Sequence, residues 1–287
     1  MVYALSLVGL WLLVSMKTSR SDGDLVPGVH PYRRLMAFIM RTRTESAVYS
    51  DTAVRAEKLL AFLEANSASG ITLTHVLLAA TANALEANPR LNRFVVGKRL
   101  YQRRGRFVTF SMKRKKLDAK AKIAVVKLEL IAGESLQELA SRIDAIIGKQ
   151  RSGERTYADK EYSLFNALPR PVLTAATACI RWLDAHNILP AFFIRDDGLY
   201  TSVFIANLGS LAMSAPYHHL YEWGNCPLFM AVGAIEDRVV VEDGQVVAAK
   251  VLPIRWSFDE RVEDGLSARG GIDALVRQLE DPEGIWA

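Results

Sequence analysis

The sequence predicts an α/β or α+β fold around a mixed β-sheet, and three observations carry that expectation. Amphipathic helical runs come mostly early in the chain, runs rich in β-branched and aromatic residues come mostly late, and no internal repeat or low-complexity tract interrupts them. The chain has 287 residues, 50% of them hydrophobic and 23% charged, enough for one large domain or two small ones with a substantial core. Two cysteines, Cys179 and Cys226, lie far apart; they form neither a zinc pattern nor a disulfide framework and read as small packing residues of a reduced compartment.

The first element is Val2 to Met16, almost wholly apolar but shorter than the roughly 20 residues of a spanning helix. No basic residue precedes it and no small-residue cleavage site follows, so it is a poor secretory signal. Three readings stay open: a marginal membrane anchor that leaves the body cytoplasmic, a helix packed on another subunit, or a dispensable tail. Residues 1–20 are set apart as this apolar segment, residues 21–29 as a polar linker, and residues 30–287 as the folded domain.

Pro31 to Met40 opens the body as a helix. Asp51 to Asn66 reads as a second, with Val54, Leu59, Leu60, Phe62 and Leu63 on one face and a stop near Gly70. Thr72 to Asn88 is more apolar and ends at Asn88-Pro89, because the residue before proline is steered out of the helical region. Arg106 to Ile131 is strand-like. Ser135 and Glu138 make a capping box, with Leu139, Ile143 and Ile147 as the inner stripe. Tyr200 to Leu208 and Leu228 to Ala234 are strands. Arg238 to Val241 and Gln245 to Val251 flank Asp243-Gly244, a hairpin signal. A last strand runs into Ser257, and a helix with Leu275, Val276 and Leu279 inward closes the chain.

The net charge is +5, concentrated between Lys98 and Lys122. Such density either attracts a polyanion or forms a solvated strand and turn. No helix-turn-helix, finger or RNA-binding signature accompanies it, which argues against nucleic acid.

Several segments together resemble one family. They are I-A-N-L-G at Ile205 to Gly209, V-G-A-I-E-D-R-V-V-V-E-D-G at Val232 to Gly244, S-F-D-E-R-V-E-D-G at Ser257 to Gly265 and L-E-D-P at Leu279 to Pro282. Upstream, P-Y-R-R-L-M-A-F-I-M resembles an entry helix and N-P-R-L-N at Asn88 to Asn92 a second element. In this order they resemble the catalytic domain of the dihydrolipoamide acyltransferases of 2-oxo acid dehydrogenase complexes, relatives of chloramphenicol acetyltransferase, over residues 30 to 285. The resemblance implies a two-layer sandwich with a mixed β-sheet and a homotrimer with its active site between subunits. It also implies a channel that admits coenzyme A from one side and an acyl acceptor from the other. The family motif D-H-R-x-x-D-G supplies a histidine that takes a thiol proton. A serine ahead of N-L-G helps hold the oxyanion, and an arginine of the entry helix pairs with the motif's second aspartate.

Asp259, Arg261, Asp264 and Gly265 match that motif, and Arg33, or its neighbour Arg34, is placed for the structural pair with Asp264. The base position holds Glu260, and the oxyanion position holds Ala206, followed by Asn207. A free thiol near pKa 8.5 and a free glutamate near 4.3 differ by about four units, about 5.7 kcal/mol uphill, where histidine faces about two. Loss of an oxyanion donor removes about 100- to 1000-fold in rate. The loop Pro216 to Asn225 offers a substitute: His218 or His219 as a relocated base, oriented by Glu222. The alternative for these histidines is a hydrogen-bonded pair supporting an aromatic loop with Tyr217, Tyr221 and Trp223. No third ligand stands out for a metal.

Among the remaining candidates, His75 reads as a satisfied core or interface residue, and His30 and His186 sit near segment ends. Ser202 and Ser210 flank the oxyanion position. Phe107 to Lys116 replaces the family's glycine-led channel element, which argues against dihydrolipoamide as acceptor, while Lys113, Arg114, Lys115 and Lys116 suit the phosphates of coenzyme A. No lipoyl lysine domain and no peripheral-subunit-binding domain is recognisable, so a standalone catalytic-type domain without covalent lipoate is expected. Two functions follow: an atypical coenzyme A-dependent acyltransferase with a changed base, or an inactive trimeric scaffold that binds coenzyme A or a protein partner.

Overall fold

The computed structural model describes residues 14–113, 123–152 and 165–283, together with 11 and 163. It begins with β1 (Gly23–Leu25), α1 (Pro31–Ile39), β2 (Ala47–Arg55), α2 (Glu57–Ala65) and α3 (Leu73–Ala87). A hairpin of β3 (Arg93–Val96) and β4 (Arg99–Arg103) leads to β5 (Phe107–Lys113) and β6 (Ile123–Glu129). The helices α4 (Leu136–Arg151), α5 (Arg170–Ala185) and α6 (Ala191–Asp196) come after them. Then come β7 (Val203–Asn207), β8 (Leu228–Val232), β9 (Glu236–Glu242), β10 (Gln245–Asp259) and α7 (Gly265–Glu280).

The main sheet has seven strands in the order β2-β10-β8-β7-β5-β6, with β9 paired to the first half of β10. β7 runs parallel to both β5 and β8, and the other pairings are antiparallel, so the sheet is mixed. Strand alternation sends Val203, Ile205, Met230, Leu252, Ile254 and Trp256 to one face, where Leu59, Leu77, Ile143 and Leu275 of the helices complete the core. The result is a two-layer α/β arrangement, as expected. β1, β4 and β3 form a separate small sheet.

Three expectations need correction. The helix expected over Asp51 to Asn66 starts only at Glu57; residues up to Arg55 belong to β2, which pairs residue for residue with β10 from Ala47 to Arg55. The apolar positions that suggested one helix straddle a strand and a helix joined at Ala56. The linker over residues 21–29 contains β1, paired to β4, and it is held by a buried charge network. In that network Arg20 reaches Asp22 at 2.8 Å and Asp184 at 2.9 Å. Last, the two strands expected after Gly244 are one continuous strand through Pro253.

Of the basic stretch from Lys98 to Lys122, the arginines up to Arg106 are committed within the protein, and residues 114–122 lie outside the described residues. Arg103 is buried and donates to the Asn225 side chain at 2.8 Å, Arg106 pairs with Glu86 at 2.6 Å, and Arg104 pairs with Asp24. Most of Val2 to Met16 lies outside the described residues. Its end is tied to the body: Arg99 donates to the Ser15 carbonyl, and Asn187 Nδ2 donates to the Lys17 carbonyl at 2.7 Å. No helix among the described residues is long and apolar enough to cross a membrane.

Candidate functional site

The sheet face away from the helices carries Phe204, Ala206, Phe229 and Ala231, against which Leu220, Tyr221 and Cys226 pack. His218 sits there. Its ring lies flat on Phe229, with centroids 4.0 Å apart and planes 5° from parallel, and His219 stacks beside it at 4.7 Å. Ser257, on β10, donates its hydroxyl to the His218 carbonyl. His218 Nδ1 is 2.7 Å from the His219 carbonyl oxygen, so Nδ1 carries the proton and donates, which leaves the Nε2 lone pair free to accept. Burial lowers the His218 pKa from 6.5; the bond to the carbonyl opposes that shift, and the neighbouring His219 adds to it. The ring is therefore neutral at pH 7.

The orienting role expected of Glu222 is not observed. Its carboxylate instead accepts from Thr44 N at 2.8 Å, Thr44 Oγ1 at 2.9 Å and Arg43 N at 3.2 Å, so it pins residues 43–44. His219 Nδ1 contacts the Leu220 carbonyl at 2.9 Å. Both histidines thus rest on backbone carbonyls within an aromatic loop, and the relocated-base and structural readings share this geometry. One residue escaped the sequence reading. Arg255, on β10, lies over the Tyr217 ring at 4.9 Å and 2.6 Å from Asp51, and its buried Nε has no hydrogen-bond partner. A cation inside the apolar run Val251 to Trp256 is the signal for it.

The D-E-R-V-E-D-G segment closes on itself. Arg261 grips Asp259 through two bonds of 2.8 and 2.7 Å, and Ser46 Oγ donates to the same carboxylate at 2.9 Å. This bidentate pair is buried and shapes the loop. Glu260 is exposed. Its N–H donates to the Ser46 carbonyl at 3.0 Å, its carbonyl accepts from Arg33 at 3.3 Å, and its carboxylate has no partner among the described residues. Arg33 reaches Asp264 at 3.5 Å and, on the same side, buried Glu263 at 3.4 Å. Asp264 also caps α7, accepting from Ser267 N at 2.9 Å, and that bond above all holds its pKa below the usual carboxylate value.

The two residues expected at the oxyanion position, Ala206 and Asn207, separate. Ala206 lies on the face of His218, whereas Asn207 turns to the helices and donates to Thr74 Oγ1 at 3.2 Å. Ser202 Oγ accepts from Phe107 N at 3.0 Å, and Ser210 Oγ donates to the Asn207 carbonyl at 2.9 Å, so both hydroxyls are used locally. Lys113 ends β5, and its side chain, with Arg114, Lys115 and Lys116, lies outside the described residues. His75 is buried in the Thr72 capping box, 3.5 Å from Asp144. His30 caps α1 and His186 caps α5. Burial pushes the Cys226 thiol up to about 11, whereas Cys179 is exposed rather than packed inside. Among the described residues no group of three or more His, Cys, Asp or Glu is placed to hold a metal ion.

The fold has known counterparts. It is similar to chloramphenicol acetyltransferase, with a TM-score of 0.52 and 12% identity over 90% of this chain and 98% of that one. It is likewise similar to a probable dihydrolipoamide acetyltransferase from Listeria monocytogenes, with a TM-score of 0.59 and 18% identity over 90% and 95% of the two chains. Residues 203–287 match the family described as 2-oxoacid dehydrogenases acyltransferase (catalytic domain). Over 54 residues the chain is 39% identical to the dihydrolipoyllysine-residue acetyltransferase component of the pyruvate dehydrogenase complex of Bacillus subtilis, 19% of this chain but only 12% of that protein. The chain is thus similar in sequence to the catalytic domain of the 2-oxoacid dehydrogenase acyltransferases over residues 203–287, and similar in fold to a dihydrolipoamide acetyltransferase over 90% of its length.

Proposed function

We propose that the protein is an acyltransferase of the dihydrolipoamide acyltransferase type, moving an acyl group from coenzyme A to an acceptor, with His218 in place of the family's base. The observation that carries this reading is the hold on His218: Nδ1 is engaged by a carbonyl and Nε2 is open, in a ring kept neutral by burial. Nε2 takes the proton of the acceptor's thiol, hydroxyl or amine as that atom attacks the thioester carbonyl. The tetrahedral intermediate collapses by breaking the carbon–sulfur bond, and the leaving coenzyme A thiolate regains the proton from the imidazolium. Ala206 offers no hydroxyl to the oxyanion, so a slower reaction than the family's follows.

Coenzyme A as substrate rests on the family resemblance. So does a homotrimer with its site between subunits, and the outer face of α1 supports it: Tyr32, Leu35, Phe38 and Ile39 are each at least half exposed, an apolar surface suited to a second copy. A second reading is a trimeric scaffold without turnover, favoured by the change of both family positions, Glu260 and Ala206. Coenzyme A release from a panel of acyl-coenzyme A donors, with thiol and amine acceptors, separates the two. Acceptor-dependent release that vanishes in His218→Ala and survives in His219→Ala and Glu260→Ala supports His218. Loss only in Glu260→Ala refutes it, and no release with any donor favours the scaffold.

A further inference from the structure

A second recess lies outside the histidine site. It is a cleft of about 660 Å³ between the C-terminal end of α1, the β3–β4 turn, α5 and residues 222–224. Its walls carry an apolar and aromatic part, with Val95, Val96, Ile180, Tyr200 and Trp223, beside the polar Thr42 and Thr44 and Arg261, which is bound to Asp259. Its charges are unbalanced. The acids that line it are both committed, Asp184 to Arg20 at 2.9 Å and Glu222 to Thr44 and Arg43. The cations at its rim, Arg41, Lys98 and Arg181, are exposed, and their side chains form no hydrogen bond or ion pair among the described residues. Behind them Arg43 is buried, and its guanidinium donates to the carbonyls of Tyr221, Glu222 and Val95 rather than to a carboxylate.

The backbone at Lys98 is informative as well. Gly97 and Lys98 form the turn with φ of 56° and 62°, a left-handed pair in which asparagine or glycine is the usual second residue. Lysine occupies that position instead, at the mouth of the cleft, where its ammonium lies 4.8 Å from the Phe38 ring. A non-glycine residue in that region is uncommon, and such residues concentrate at ligand sites.

We propose that this cleft binds a small ligand carrying a phosphate monoester on an apolar, ring-containing body. The phosphate meets Arg41, Lys98 and Arg181, and the body lies against Tyr200 and Trp223. Three unpaired cations around one mouth match a dianionic phosphate better than a single carboxylate. The volume falls in the range of small-molecule sites and far exceeds what inorganic phosphate fills. The inference is independent of acyl transfer, since none of the three cations belongs to the machinery around His218.

Isothermal titration with 1-naphthyl phosphate tests it, with 1-naphthol and inorganic phosphate as the separate halves. Saturable binding of 1-naphthyl phosphate is expected, about tenfold or more tighter than either half. Arg41→Glu and Arg181→Glu should each weaken it by about tenfold or more. Lys98→Asn, which suits the left-handed turn, should weaken it without lowering the thermal midpoint. Absent binding, equal binding of 1-naphthol, or unchanged affinity in the two arginine variants overturns the proposal. Competition with desulfo-coenzyme A then identifies the source: displacement points to the nucleotide end of the coenzyme, and no displacement to a separate phosphorylated ligand. His218→Ala is expected to bind the probe normally, so the loss of either proposal leaves the other testable.

Discussion

The imidazole of His218 lies face to face with the ring of Phe229, 4.0 Å between centroids. The contact removes one face of the imidazole from water and favours its neutral form. The pKa of His218 is below 6.5 in the folded state, so the unfolded chain binds more protons in the window between the two values. Stability from the neutral ring is therefore present above about pH 6.5 and lost as pH falls toward the folded value. Buried His75 acts in the same direction, burial outweighing Asp144. Imidazole NMR titration of Phe229→Leu should show the His218 midpoint move up toward 6.5; an unmoved midpoint would show that the stacking does not set it.

Asp259 and Arg261 form the buried clasp of the D-E-R-V-E-D-G loop. Asp259→Ala strands the guanidinium of Arg261 in the interior, a change that costs about 3–5 kcal/mol. Urea unfolding should register a loss of that size, with Ser46→Ala costing less because it removes only one neutral donor. A loss under about 1 kcal/mol for Asp259→Ala would mean that solvent reaches the clasp.

Gly97 and Lys98 give a paired test of backbone conformation. A Cβ at Gly97 would stand 2.1 Å from the Ala185 carbonyl oxygen, in addition to its φ of 56°. Gly97→Ala is expected to destabilise by about 1–3 kcal/mol or more. Lys98→Gly should instead leave stability level or raise it by up to about 1 kcal/mol, because glycine accepts the same φ freely. Thermal midpoints of the two variants moving in the same downward direction by the same amount would contradict this.

Lys127 closes the end of α6. Its ammonium donates to the carbonyls of Ile194, Arg195 and Asp197 at 2.9, 3.1 and 3.3 Å, and burial foremost lowers its pKa to about 8. An NMR titration of its Nζ should give a midpoint near 8 rather than 10.5. Between those values the unfolded chain holds the extra proton, so this group's contribution makes stability rise with pH across that window. Lys127→Met leaves the carbonyls without their donor and should cost about 1–3 kcal/mol, measured by chemical denaturation.

Much of the fold was legible because it rests on local chemistry. The Ser135–Glu138 capping box forms as read, and Asp243-Gly244 adopts the two left-handed residues of a tight hairpin. α5 escaped notice because it buries only Asp184 and exposes Val172 and Trp182, so it lacks a clean inner stripe. Asp51 to Arg55 reads as helix because spacing alone cannot tell where a period of two gives way to a period of 3.6.

The candidate site divides along the same line. Residue identities alone determined the α/β class, the order of the motifs that resemble the acyltransferase catalytic domain, and the presence of Glu260 and Ala206 within them, because these are properties of pattern and chemical type. Tertiary structure decided the rest. Glu222 serves Thr44, 178 residues away, rather than a histidine four or fewer residues away, and Asn207 turns from Ala206's face toward α3. His218 finds its stacking partner on a strand brought alongside by pairing with β7 and β10. Hydrogen bonds and ring contacts go to whichever group the packed layers bring within about 3–4 Å, and that proximity is created only when the sheet assembles.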